Sequence, residues 1–581
     1  MTYQIYDDVF WWQSKEDPHK AITEFVNVLS EEQDEHFTSI MTFLGLYGGQ
    51  PHQSMEVQNL MRNPAMRQPR LTFNVIHSVC QSATSKIAKH RPSMSFLTEG
   101  GNWSQRSKAK LLEKFAQGLF YSLDIYSVAQ KAFLDACITG TGAVKIYNAN
   151  GEPAVERVAI SELLIDHIES KYSNPRQLFQ QRSVSRHVLA AMFPKKEKQI
   201  MAADAPEEES IESSSRNTDM VDCTEAWHLR SGPEAEDGRH CMVIPGVTLM
   251  DEPYDYDYFP FAFIRWTESP ISFWGSGLAR EVKGIQVEIN KLLARIQEQM
   301  HLATPKVFVE DTSKIVQSHL NNRVWGVIKY RGTPPQFFVP RSVSGEMFAH
   351  LDRLVDRAYE MTGISQLSAS SKKPVGLESG RALREFSDIE TERFMVVGQA
   401  YERFFIEITK QLVDRVRELH DDDAGYTSMS FSRRDGVQKI NWKEIDLEED
   451  EFIMQVRATG SLPQTPAAKL ASVTEMHMNG MFSKEEAHQL LEFPDLEQGT
   501  KLKIAPLEMI DMIIEEILEN GKWIGPDPFM NLEVGIKRVQ EAYNLGRIDG
   551  APDENLELLR RWIQQAMAIL RAPMEKAKQE Q

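Results

Sequence analysis

The chain has 581 residues, enough for roughly three or four domains of ordinary size. Its 41% hydrophobic and 26% charged residues are typical of a globular protein and exclude wholesale disorder. The formal net charge of −19 excludes binding of nucleic acid by bulk electrostatic attraction, because phosphate binding needs a basic surface.

Helical patterning dominates the first part of the chain. Apolar spacing predicts one continuous amphipathic helix over 17–46, a second over 74–89 and a third, long one over 104–138. Gly140-Thr141-Gly142 ends the third helix. The alternating segment after it predicts a β-hairpin that turns at Gly151.

An acidic insert separates this region from the next strands. Residues 204–225 include the run EEESIESSS, and their composition predicts a disordered loop. The segment 225–266 that follows predicts β-strands. Beyond them, an apolar stripe predicts a rod-like helix over 278–302, which Pro305 ends.

The central segment predicts two helices around a small β module. Residues 306–339 are rich in turns and short β patterns, and 344–361 carry a second helical stripe. A polar loop leads into 381–419, where the pattern predicts one uninterrupted helix. A β segment over 429–459 follows, and the acid-rich tail from Pro463 predicts helices.

Local motifs give no support for catalysis. The segment 140–145, GTGAVK, lacks the P-loop pattern and runs from helix to strand, so we interpret it as a helix C-cap entering a hairpin. No H-E-x-x-H, G-x-S-x-G or EF-hand pattern is present, so we expect no enzyme, no cofactor and no metal site. An acidic cytosolic enzyme with a scattered site stays open as an alternative.

The cysteine spacing, the N-terminus and the lengths of the apolar runs predict the cellular location. The four cysteines, Cys80, Cys137, Cys223 and Cys241, have no CxxC spacing, which predicts a reduced protein of the cell interior or one assembled there. No signal peptide is visible at the N-terminus, and no apolar run approaches the length of a membrane span. We therefore expect no membrane association.

Two basic islands interrupt the acidic background. Residues 304–345 contain six Lys or Arg and two acids, and residues 363–384 contain four Lys or Arg and one acid. Such islands can give weak phosphate contacts that do not depend on base sequence. Charged edge strands and an ordinary solvated loop are the alternative interpretations.

The order of these elements resembles the portal (head–tail connector) protein of tailed double-stranded DNA bacteriophages. The resemblance extends from about residue 74 to about residue 491. It depends on four stretches in order: GTGAVKIYN at 140–148, SPISFWGSGLAREVKGIQVEINKL at 269–292, MTGISQ…SGRALREF at 361–386, and TGSLPQTPAAKLASVTEMHMNGMFS at 459–483. It implies an α+β, mainly α fold with the portal architecture of wing, stem, clip and crown, assembled as a ring.

That architecture divides the chain into seven segments. They are an N-terminal wing (1–268), a first stem helix (269–303), a clip (304–343), a second stem helix (344–362), a tunnel loop (363–380), a long helix with the C-terminal wing (381–462) and a crown (463–581). The acidic insert is expected on the outer wing.

The resemblance implies roles for two groups of residues. Lys372 and Lys373 in the tunnel loop would contact DNA. The possible basic contacts of the channel or clip are Lys306, Lys314, Arg323, Lys329 and Arg331.

Subunit packing is expected along the stem. The stem residues assigned to it are Ile285, Ile289, Leu292 and Ile296. A two-helix hairpin alone cannot bury both stripes, so we expect neighbouring copies in a closed ring to cover them.

The resemblance also implies partners and a place of action. They are a homo-oligomer, expected as a dodecamer, the terminase large subunit, the major capsid and scaffolding proteins, the head–tail adaptor, and double-stranded DNA passing non-specifically. The protein would be assembled in the host cytoplasm and reside at the capsid portal vertex. No nucleotide motif is present, so the terminase would supply the energy for packaging. Another virion structural protein, of the tail or baseplate, is the main alternative.

Overall fold

The computed structural model divides into two compact units. The first comprises residues 1–89, 126–147 and 154–404, and the second comprises 90–125, 148–153 and 405–581. The structure describes residues 10–14, 18–49, 71–88, 91–97, 103–171, 175–203, 219–302, 306–311, 314–315, 329–338, 345–364, 394–421, 427–432, 436–445, 453–457, 473–474, 476–478 and 494–579.

Helices form the larger part of the described chain. They are α1 (Pro18–Glu32), α2 (Asp34–Tyr47), α3 (Val75–Ile87), α4 (Trp103–Ser122), α5 (Ile125–Thr139), α6 (Arg186–Met192), α7 (Glu197–Ala202), α8 (Leu278–Leu302), α9 (Gly345–Thr362), α10 (Met395–Asp421), α11 (Trp442–Ile445), α12 (Pro494–Asn520), α13 (Leu532–Ile548) and α14 (Asp553–Gln579).

The strands are short and pair antiparallel. They are β1 (Ser93–Leu97), β2 (Thr141–Ala149), β3 (Glu152–Val158), β4 (Leu163–Leu164), β5 (Gln177–Ser185), β6 (Met220–His228), β7 (Arg239–Ile244), β8 (Val247–Pro253), β9 (Phe261–Arg265), β10 (Lys306–Phe308), β11 (Lys314–Ile315), β12 (Tyr330–Arg331), β13 (Gln336–Phe338), β14 (Thr427–Ser432), β15 (Gly436–Asn441) and β16 (Ile453–Arg457). The predicted α+β, mainly α class is confirmed.

A five-stranded sheet of order β4-β5-β6-β7-β8 organises the first unit. Successive side chains of a strand point to opposite faces. On β7, Cys241 and Val243 pack into the core cluster that α1 covers. Met242 and Ile244 pack into a different cluster, with residues of α6 and α7. Helix α1 and the α6–α7 pair therefore cover opposite faces of one sheet.

A second sheet of the first unit has the order β3-β2-β9. Asn150 and Gly151 connect β2 to β3, and both have positive φ, 54° and 80°. Such a pair forms the two-residue turn that matches the twist of a hairpin. The predicted hairpin with its turn at Gly151 is confirmed.

Two helices predicted as continuous are interrupted. The predicted helix over 17–46 breaks at Gln33, whose side-chain Nε2 donates to the carbonyl oxygen of Ile165 at 2.5 Å. The predicted helix over 104–138 ends at Ser122 and restarts at Ile125, because Asp124 has a left-handed φ of 48°. Each predicted single helix is wrong at these points.

The acidic insert is shorter than predicted. Residues 204–218 lie outside the described residues, but β6 already begins at Met220 and pairs with β5 from there. Glu225, predicted to end a disordered loop, is a buried strand residue. The prediction of disorder is therefore wrong for 220–225, where pairing with β5 holds the backbone.

The long helix after the polar loop begins later than predicted. It spans 27 residues from Met395 to Asp421. Phe394 lies in a turn before it, so the predicted uninterrupted helix is broken there, and 381–393 lie outside the described residues.

The second unit contains α4, a β region and a C-terminal bundle of α12, α13 and α14. The bundle core includes Trp562, which lies against Gly535 of α13. Arg538 of α13 forms an ion pair with Asp511 of α12 at 2.5 Å. The helical tail is confirmed over 494–579. No helix in the described ranges is both long and apolar enough to cross a bilayer.

Candidate functional site

Four short strands lie between α8 and α9 in the chain. The outer strands β10 and β13 pair with each other, and the inner strands β11 and β12 do the same. The predicted sequence of helix, small β module and helix is thus observed in the described residues. Nested antiparallel pairs keep the two ends of the module together, so α8 and α9 leave it side by side.

Three predicted basic residues are found on the inner pair or beside it. Lys314 of β11 lies opposite Arg331 of β12, and Ile315 lies opposite Tyr330. Lys314, Arg331 and the neighbouring Lys329 are exposed. Solvated cations on a short ladder can exchange phosphate contacts without selecting a base sequence.

The other predicted contacts are not tested by the structure. Lys306 is on β10, but its side chain is not among those described, and Arg323, Lys372 and Lys373 lie outside the described residues. The structure therefore brings together only Lys314 and Arg331 of the predicted set, with Lys329 next to them.

The stem stripe lies in a different environment from the predicted one. Ile289 is 0% exposed within a single chain, and Leu292 and Ile296 are also buried. Ile285 is half-buried. Helix α8 packs on α9, α2 and α3 of its own chain. The expectation that these residues lack an intrachain partner is wrong, because sequence periodicity does not reveal which helices flank the hairpin.

This packing changes the expected effect of a charge on α8. Ile289→Asp should destabilise the protomer itself by several kcal/mol, on the order of 3–5, because an unpaired carboxylate would be buried. Thermal unfolding of the purified chain measures the loss. Ile285→Asp is the matched variant on the same helix and should cost far less, since Ile285 is partly exposed. Equal losses in the two variants would contradict the burial.

Two glycine-containing segments, 140–142 and 275–277, contact each other through their backbones and fix the start of α8. We call this contact the glycine crossing. Gly140 follows α5 with a φ of 102°, and a Cβ there would overlap the carbonyl oxygen of Gly275. A Cβ at Gly277 would lie 2.7 Å from the backbone nitrogen of Gly140. Gly275 N donates to Thr141 Oγ1 at 2.9 Å, and Trp266 N donates to Gly140 O at 3.0 Å. Backbone contact this close leaves room only for glycine.

The structure also shows what the segment 140–145 does. Gly140 N donates to Ala136 O at 2.9 Å, as a helix C-cap does, and β2 begins at Thr141. The interpretation as a C-cap entering a hairpin is confirmed, and the segment binds a second backbone segment. Sequence analysis missed this contact, although both glycine pairs stand in the stretches that carried the resemblance.

A buried glutamine joins α8 to α3. Gln286 Oε1 accepts from Val75 N at 2.9 Å, and its Nε2 donates to Phe73 O at 2.7 Å. The first amides of a helix have no partner within the helix. Gln286 satisfies one of them for α3, and so fixes the two helices relative to each other. In the sequence, the polar Gln286 within the apolar stripe of α8 is the feature that could have indicated this contact.

A buried charge cluster lies between the two sheets of the first unit. Lys145 Nζ of β2 is 2.6 Å from Glu225 Oε2 of β6 and donates to Gln180 Oε1 at 3.0 Å. It also lies 4.9 Å from the centre of the Trp227 ring. His240 Nε2 is 3.6 Å from the same Glu225 oxygen, too far for a hydrogen bond.

Electrostatics hold Glu225 in its charged form. Burial alone would raise the pKa of the carboxyl, but the opposing effect of Lys145, with a smaller one from His240, lowers that pKa from 4.5 to about 2. The Glu225 carboxyl is therefore ionised at neutral pH. The cluster ties β2 to β6 rather than presenting a group to solvent.

The chain is similar to a known protein family over most of its length. A family model described as Phage P22-like portal protein matches residues 53–423. The match covers more than half of the chain, from α3 to α10. It contains the glycine crossing and the strand pair β11–β12 with Lys314 and Arg331. No curated protein matches the chain.

Proposed function

Because the chain belongs to the Phage P22-like portal protein family, it is a phage portal protein, and we propose that its copies form a ring around a DNA channel at one capsid vertex. The match over residues 53–423 carries this conclusion. The portal family is structural rather than enzymatic, and it implies a homo-oligomeric ring that acts with the capsid and the terminase.

The proposed ring passes DNA in during packaging and out during ejection. Twelve subunits, the terminase large subunit as docked motor, the major capsid and scaffolding proteins, and a head–tail adaptor complete the assembly. The ring is assembled in the host cytoplasm and becomes part of the virion. Residues 278–302 and 345–362 serve as its stem, and the β module between them serves as its clip.

The charge distribution suits a conduit for DNA. An overall charge of −19 keeps DNA from adhering to the protein, because like charges repel. Lys314, Lys329 and Arg331 present a few solvated cations on the β module. A ring multiplies each cation by the number of subunits, so weak contacts of this kind add up while individual phosphates exchange.

Assembly is the direct test of this function. We expect the purified chain to appear as closed rings in negative-stain images and to elute with a ring-sized mass in light scattering after size exclusion. Rings with a central channel are the expected result. A chain that stays monomeric at micromolar concentration, with or without scaffolding protein, would contradict the ring. Open fibres or tail-like tubes would favour a tail or baseplate component.

The tunnel-loop lysines give a second test. Lys372→Ala with Lys373→Ala should leave the ring intact and reduce DNA retention after packaging. Each Lys–phosphate contact is screened over a Debye length of about 8 Å at physiological salt, so the defect should deepen as salt is added. Capsid DNA content at two ionic strengths measures the effect. Normal filling at both would refute the assigned contact. Lys522→Ala with Lys537→Ala, at two exposed lysines of the C-terminal bundle, is the matched control for lost charge.

A further inference from the structure

An acidic surface with exposed apolar side chains lies on α1 and α2. Residues 18–49 contain five acids and one lysine. Within the described ranges, Glu31, Asp34 and Glu35 are exposed and form no ion pair. The large apolar side chains exposed on this surface are Val28, Phe37, Met41 and Leu44. We call it the acidic surface.

Part of the acidic surface is a helix face that the described residues leave uncovered. Phe37, Met41 and Leu44 stand at spacings that place them on one face of α2. The opposite side of α2, with Ile40 and Phe43, is buried in the protomer. A helix that is apolar on both sides is typical of one covered on both sides. Met41 is nevertheless 52% exposed in the single chain.

A basic surface of the same kind lies on α6 and α7. Residues 186–203 contain four Lys or Arg and one acid. Lys195 and Lys198 are exposed and have no ion-pair partner in the described part of the chain. The large apolar side chains exposed beside them are Val188, Met192 and Met201. We call it the basic surface.

The two surfaces do not cover each other in the described part of one chain, since the apolar side chains of both are exposed there. Helix α1 lies on the face of the five-stranded sheet to which Cys241 and Val243 point. Helices α6 and α7 lie on the face to which Met242 and Ile244 point. The α1 part of the acidic surface and the basic surface therefore lie on opposite faces of one sheet, whereas α2 packs through Ile40 on a cluster that contains Trp227. The two surfaces are complementary in charge.

We propose that the acidic surface of one protomer docks on the basic surface of the next protomer. Two different, complementary surfaces on one chain make a heterologous interface, and such an interface closes into a ring when the rotation permits. Opposite charges orient the encounter, and the apolar side chains lose water on contact. The inference rests on the ring proposed above and assigns part of its subunit seam.

Charge reversal on each surface tests the seam in the full-length chain. Glu31→Lys with Glu35→Lys, or Lys195→Glu with Lys198→Glu, should raise the concentration at which half of the chain is assembled by about tenfold, the effect of losing two or three exposed ion pairs. Combining both pairs of substitutions restores opposite charges and should return assembly close to that of the wild type. Mass photometry over a dilution series measures it.

The control has the same change in charge at a different place. Glu234→Lys with Glu236→Lys alters two exposed acids in the loop between β6 and β7 and should leave assembly unchanged. Circular dichroism verifies that every variant is folded.

Four outcomes separate the inference from the function. Reversal that weakens assembly, with rescue in the combined variant, supports the seam. A wild-type ring that neither reversal weakens contradicts the seam and leaves the ring standing. Weakening without rescue overturns the seam too, since the basic surface would then be held by another group, such as the acidic segment 204–218 of its own chain. A wild-type chain that stays monomeric contradicts both.

Discussion

Gly140→Ala is expected to abolish folding of the first unit, because no position is available for the added methyl group. Its Cβ would overlap the carbonyl of Gly275, and the backbone at 140 has a φ of 102°, which alanine rarely adopts. Neither backbone segment can move without shifting β2 or the start of α8. We expect insoluble protein, or a loss of stability of roughly 4 kcal/mol or more.

Two glycines elsewhere provide matched controls. A Cβ at Gly284 of α8 meets nothing within 4 Å, so Gly284→Ala should be neutral or stabilising by up to about 1 kcal/mol. Gly151 has positive φ but open space around it, so Gly151→Ala isolates the cost of the backbone conformation, about 1 kcal/mol. The soluble yield and the thermal unfolding temperature of the three variants give the comparison. A Gly140→Ala chain as stable as Gly151→Ala would refute the crossing.

Glu225→Ala should be the second most damaging substitution. It leaves the ammonium group of Lys145 buried without a counter-charge, and removing one partner of a buried pair costs about 3–5 kcal/mol. Lys145→Met with Glu225→Leu removes both charges and should recover much of the loss. Asp255→Ala is the control for an exposed pair, because the Asp255 side chain is 80% exposed and its partner is Arg230. That variant should lose less than about 1 kcal/mol. Urea unfolding at neutral pH gives the comparison.

The same pair predicts the response to acid. The pKa of Glu225 is lowered in the folded state, so its contribution to stability is fully present above its ordinary pKa of 4.5. That contribution should be lost as the pH falls from about 5 towards 2. The Glu225→Gln variant should lack this part of the pH dependence. Parallel stability curves for the wild type and Glu225→Gln over that range would contradict the assigned pKa.

The glycine crossing and Gln286 together explain how α8 is oriented relative to α3. The crossing fixes the first residues of α8, and Gln286, two turns further, binds the first amides of α3. A helix held at two points along its first turns has a defined direction.

Much of the architecture could be predicted from the sequence because the signals were local. The apolar stripe over 278–302 predicts both ends of α8 correctly, since a helix of that length shows its buried face at a fixed residue spacing. The turn at Gly151 and the cap at Gly140 were predictable because positive φ selects glycine. The order of these elements was sufficient to identify the portal family, and the family match bears that out.

What only the tertiary structure decided depends on groups distant in the chain. Helix α1 ends at Glu32, and Gln33 beyond it donates to the carbonyl of Ile165, a partner that no local pattern reveals. Lys145 and Glu225 appear as unrelated charges until two sheets bring them within 2.6 Å. Periodicity around Ile289 shows that a helix face is buried but not what buries it, and the structure shows that helices of the same chain do so. Secondary structure is encoded by neighbours, whereas the partner of each buried face is chosen by packing of the whole unit.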